Sequence, residues 1–147
     1  MSDPLKLMAT DEEGLRVISA CLQDSLTRLA DMSFQRRRNR FVAMFSRYKW
    51  EDKKKRKSDG ARVRAGVHFD GVLNVQARGL DQDDVGGLLD LLAVTVENSD
   101  SAYDITLVFA GGGAIKLEAE CIDIYLSDHG ATWDSENQPD HQLESDL

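Results

Sequence analysis

Histidine, cysteine and proline are scarce in this chain: three, two and two among 147 residues. Three histidines leave little from which to build a metal centre. The two cysteines, Cys21 and Cys121, form no CxxC pair, so neither a zinc ribbon nor a thioredoxin-like redox motif is encoded. They fit a reducing compartment. Buried free thiols are the favoured reading, with one disulfide between them as the alternative. No apolar run approaches the roughly 18 residues of a membrane span. The first residues, Met1 to Leu7, lack a basic region followed by a long apolar core, so no secretory signal is expected and the cytoplasm is the expected location.

What is present is ordinary for a soluble domain: 41% hydrophobic and 30% charged residues. The length suits one domain with a real core. The net charge of −8 conceals an asymmetry. Residues 1–65 hold 16 Lys and Arg against 9 Asp and Glu, whereas residues 66–147 hold 2 against 17. Such a split fits a basic surface with an acidic tail. The favoured reading is instead that basic strands pair beside acidic ones in one sheet.

Along the chain, Leu5 to Met8 suits an edge strand. Thr10-Asp11-Glu12-Glu13 reads as a capping box, with the Thr10 hydroxyl accepting from the Glu13 N–H. Leu15, Ile18, Cys21 and Leu22 follow at helical spacing, which predicts a helix over about 11–24. From Leu26 the period becomes two. Ala30, Met32 and Phe34 lead through Arg36-Arg37-Arg38-Asn39 to Phe41, Ala43 and Phe45, a hairpin whose second strand is apolar on both faces. Residues 51–60 form a charged loop. Val63 to Phe69 and Leu73 to Ala77 alternate again, with Gly71 between them as a turn or bulge. Leu88 to Val96 predicts a buried strand, with room for a short helical turn over Leu88–Leu92 before it.

The strongest pattern runs from Ile105 to Cys121. Ile105, Leu107 and Phe109 alternate into Gly111-Gly112-Gly113, and Ile115, Leu117, Ala119 and Cys121 alternate out. That is a β-hairpin around a glycine turn. Past Cys121 the pattern slips by one residue, which predicts either a bulge followed by a strand or a short helix over 122–129. Residues 134–147 are acidic and poor in apolar residues. The fold class read from this is α+β: a mostly antiparallel sheet of about seven strands, built of hairpins, with one N-terminal helix packed on a face. The domain spans 1–133, and 134–147 is expected to be a disordered tail.

Several segments resemble a family of small uncharacterised proteins found mainly in alphaproteobacteria, the domain of unknown function 2948. They include Leu5-Lys6-Leu7, Ser19 to Asp24, Arg40-Phe41, Trp50-Glu51, His68-Phe69-Asp70 with Val72, and Leu91-Leu92-Ala93. The most specific are Phe109 to Ile115 and Glu120-Cys121-Ile122, with Asp128, Gly130 and Trp133. The resemblance covers nearly the whole chain and implies no activity. The chain departs from the family pattern at Arg36–Asn39 and in a longer, more basic lysine loop.

Three groups of residues invite a chemical reading. His68 and Asp70 lie two apart on one strand and share a face; a histidine beside a carboxylate suits a general base. With Asp31, Glu118 or Glu120 nearby it would suit a metal. An ordinary polar sheet face competes with both. The glycine run Gly111–Gly113 joins two strands, with no helix N-terminus after it, and so is a turn and no phosphate loop. Arg36, Arg37 and Arg38 in one loop and Lys53, Lys54, Lys55, Arg56 and Lys57 in another would form an electrostatic patch if the loops share an end of the sheet, with Tyr48 and Trp50 for stacking on bases. The acidic remainder of the surface opposes nucleic acid. No cofactor motif, metal set or membrane segment is present. The favoured reading is a non-enzymatic cytoplasmic binding or scaffold domain acting through protein–protein contacts, a second copy of the chain included among candidate partners. A small enzyme using His68 and Asp70 and a nucleic-acid binder using residues 36–38 and 53–57 are the alternatives.

Overall fold

The computed structural model describes residues 4–48 and 62–128. The expected acidic tail, the lysine loop, Trp50 and Trp133 lie outside the described residues. In chain order the elements are β1 (Lys6–Ala9), α1 (Glu12–Leu22), β2 (Leu26–Thr27), β3 (Met32–Gln35), β4 (Arg40–Tyr48), β5 (Arg62–Asp70), β6 (Val72–Arg78), β7 (Leu89–Ser99), β8 (Ala102–Phe109), β9 (Ala114–Ala119) and β10 (Ile124–Asp128). Short 3-10 turns occupy Leu29–Asp31 and Arg36–Arg38.

All strand pairs are antiparallel, and one helix packs on the sheet, as the hydrophobic periods imply. Among the described residues the strands number ten rather than about seven. The excess has a physical origin. β2 is two residues long and carries no period. Gly71, at φ +76°, separates β5 from β6. A Cβ there would meet the Cys121 sulfur at 2.8 Å, so the corner needs glycine.

The sheet runs β1-β10-β5-β4-β2-β7-β8-β9-β6, with β3 alongside β4. It falls into two halves. β2 joins them on one side, pairing Leu26 with both Ser46 and Asp90. On the other side the chain itself crosses, from β5 to β6 and from β9 to β10. There the Glu120 N–H donates to Gly71 O at 2.9 Å, and the Asp70 N–H to Asp123 O at 2.8 Å. The slip after Cys121 is therefore neither a bulge nor a helix. The chain leaves one half, where β9 pairs β6 and β8, and β10 enters the other between β1 and β5.

Both halves contribute to one core. Phe41, Phe45 and Phe69 come from the first, and Ile105, Leu107, Phe109 and Leu117 from the second. α1 adds Leu15, Ile18 and Leu22. Burying each such side chain stabilises the fold by about 1.5–3 kcal/mol. The helix cap is Asp11, one residue later than expected: its carboxylate, not the Thr10 hydroxyl, accepts from the backbone, taking the Gly14 N–H at 2.8 Å. The short aspartate reaches the first free N–H groups and complements the helix dipole. α1 packs on β7, where the Val94 N–H donates to the Ser19 hydroxyl at 2.9 Å.

β7 departs from the expectation of a buried strand. Its register shifts between Leu91 and Ala93, which turns Leu92 outward, 46% exposed. Leu88 precedes the strand and is 60% exposed. The two cysteines share no disulfide, and neither is buried: Cys21 is half-buried and Cys121 exposed at the corner beside Gly71.

Candidate functional site

His68 and Asp70 do lie on one face of β5, and the neighbouring strands close a network around them. Register sets Tyr125 of β10 beside His68 and Arg40 of β4 beside Asp70. Arg40 Nε donates to Asp70 Oδ1 at 2.7 Å. His68 Nδ1 lies 3.3 Å from the same oxygen, and its ring stacks on Tyr125 at 4.7 Å between centroids. Burial, followed by the Arg40 charge, holds the imidazole below its ordinary value against the opposing pull of Asp70. The ring is thus neutral, a form that can act as a base. Its carboxylate partner, however, is engaged more closely by Arg40.

The nearest thiol does not complete a nucleophilic site. Burial and the carboxylates of Asp123, Glu120 and Asp70 push the Cys121 thiol up, away from thiolate. Tyr125 is held protonated by its hydrogen bond with Asp123. Asp31, Glu118 and Glu120 do not join His68 in a ligand set: among the described residues no group of three or more His, Cys, Asp or Glu is placed to hold a metal ion.

Of the basic residues, Arg36, Arg37 and Arg38 are described. Arg36–Arg38 form an exposed turn before β4, with the Arg36 guanidinium 5.0 Å from the centroid of the Phe34 ring. The chain departs toward Lys53–Lys57 from Tyr48, at the other end of β4, roughly 26 Å away at strand rise. Arg36–Arg38 and the point where the chain leaves β4 thus lie at opposite ends of one uninterrupted strand. Tyr48 also has a ring face covered by the Arg62 guanidinium at 3.8 Å, so that face is closed to bases. Residues 53–57 themselves lie outside the described residues.

Two arrangements escaped the sequence. Arg47 continues the odd-numbered apolar face of β4 into the core, where it is fully buried. Its Nε and Nη2 donate to the two Asp128 oxygens of β10, each at 2.8 Å. Asp128 Oδ2 also accepts from the Leu5 N–H at 2.9 Å. This pair ties β4, β10 and the start of β1 together. Its sequence signal was a charge on a run of buried positions.

The second arrangement is an open groove of about 610 Å³ on the outer face of β6, β9, β8 and β7, lined by Gln76, Arg78, Glu97, Asp104, Thr106 and Lys116 among others. Register sets Lys116 between Gln76 and Thr106. It also sets three carboxylates in one row, with Asp104 directly between Glu118 and Glu97. Arg78 and Lys116 are the two Lys and Arg residues of the whole stretch 66–147, and both line this groove. Their isolation in an acidic half was the signal that could have revealed it. Among the described residues, no ion pair engages Arg78, Lys116, Glu97, Asp104 or Glu118.

The family model described as "Protein of unknown function (DUF2948)" matches residues 5–141. No curated protein and no solved structure matches the chain. Among the described residues, no helix is long and apolar enough to cross a membrane.

Proposed function

From the premise that the chain belongs to the DUF2948 family, whose description assigns no activity, we propose that it is a non-enzymatic binding domain acting through contact with another protein. The supporting observation is the free edge of β6. Among the described residues that strand ends the sheet and has β9 as its one strand partner; at its start the Val72 N–H donates to Asn39 O at 2.8 Å, and the rest of its outer edge pairs with no strand. Its register shifts at Leu73, which is 49% exposed. An edge with unpaired backbone groups and an exposed apolar side chain invites strand addition by a partner. The His68 network, by contrast, satisfies its own charges.

Capture of partners from the protein's own cell tests this, with the native chain, Leu73→Lys and His68→Ala as baits. An edge lysine opposes strand addition. The reading predicts proteins held by the native and His68→Ala chains and lost with Leu73→Lys. Identical capture by all three, or loss with His68→Ala alone, contradicts it.

A further inference from the structure

We infer that the groove on β6, β9, β8 and β7 receives an extended segment of the partner protein, with an acidic side chain at one end and a basic one four residues on. This rests on the reading that the chain binds a protein. The first support is a cost. Glu118, Asp104 and Glu97 are direct cross-strand neighbours, and like charges so placed destabilise a sheet. Lys116, diagonal to Asp104, forms no ion pair with the row. A bound cation would relieve the row.

The second support is spacing. Arg78 and Lys116 lie toward β6, and Asp104 and Glu97 toward β7. At about 4.8 Å per strand and about 3.4 Å per residue, the midpoints of these two pairs lie roughly 14 Å apart. In an extended chain, residues i and i+4 point the same way about 13 Å apart. A glutamate on Arg78 and Lys116 therefore places a lysine at the carboxylates. Gln76 and Thr106 offer hydrogen bonds to the segment between. The groove lies on a sheet face and is open on one side. Small-molecule sites bury about 70–90% of their ligand, whereas a segment also held by its own protein needs no such enclosure.

The test is an amide-shift titration of the isotope-labelled full chain with the blocked peptide acetyl-Glu-Ser-Thr-Ser-Lys-amide. The control is acetyl-Glu-Lys-Ser-Thr-Ser-amide, whose charges face opposite ways. The inference predicts shifts centred on Thr106, Lys116 and Asp104 for the first peptide and weaker ones for the control. Lys116→Glu should lower affinity by roughly fivefold, the scale of an exposed ion pair reversed. Glu97→Gln on the opposite wall provides a second, milder loss should the first variant misfold. No groove-centred shifts at millimolar peptide, equal shifts from the control, or affinity unchanged in both variants overturns the inference. Partner capture lost with Leu73→Lys but kept with Lys116→Glu would remove the groove and leave the β6 edge as the docking element.

Discussion

The two halves of the sheet treat their charges in opposite ways. In the half built of β1, β10, β5 and β4, most charged side chains find partners within the fold. Arg47 meets Asp128 in the core, Arg40 meets Asp70 beside His68, and Arg62 lies on Tyr48 and donates to Ser46 O at 2.7 Å. In the half built of β7, β8, β9 and β6, five charges share one outer face with no ion pair among the described residues. The first half spends its charges on holding strands together. The second leaves them facing outward, three of one sign in a row.

Substitutions that remove charge should therefore be costly in the first half and cheap in the second. The largest effect is expected at Arg47→Ala, which strands Asp128 in the core and should cost about 3–5 kcal/mol by urea unfolding. Replacing both Arg47 and Asp128 by apolar residues of similar volume should recover much of that loss, because no lone charge stays buried. A small loss at Arg47→Ala would erase the contrast between the halves.

The shared core should fail next. Phe109→Ala and Leu117→Ala each remove a side chain no more than 1% exposed and should cost about 2–5 kcal/mol. Unchanged melting temperatures for both would remove the β8–β9 hairpin from the core. At the boundary between α1 and β7, Ser19→Ala leaves the Val94 N–H without its acceptor, and a loss of about 1 kcal/mol is expected in the same assay.

A smaller effect depends on pH. His68 is held below 6.5 in the folded chain, mainly by burial. Above that value both folded and unfolded chains carry it neutral, and it contributes nothing to the pH dependence. As pH falls below 6.5, the unfolded chain takes the proton first, so stability declines until the folded form also protonates. His68→Gln should flatten this part of the stability profile. A stability that rises on acidification through this window, and does so through His68, would reverse the assigned direction.

Local pattern carried much of the fold. The Ile105–Cys121 alternation yielded the β8–β9 hairpin, and the Leu15, Ile18, Leu22 spacing yielded α1. Strand number and order were not legible, because β2 has no period and the partner exchange between β9 and β10 is decided by packing between distant segments. The shared face of His68 and Asp70 was legible from a spacing of two. Its neighbours Arg40 and Tyr125 were not, since they arrive from other strands by register. The groove was hidden for the same reason: Arg78, Thr106 and Lys116 belong to three strands, and four residues of Glu-Ala-Glu-Cys say nothing of what lies opposite Glu118.

A carboxylate row that serves a contact outside the chain should oppose folding. Urea unfolding of Asp104→Asn measures this most directly. Stability should stay unchanged or rise, by up to about 1 kcal/mol, as the middle charge between Glu118 and Glu97 is removed. A loss of about 1 kcal/mol or more, the scale of a hydrogen bond broken within the fold, would contradict it.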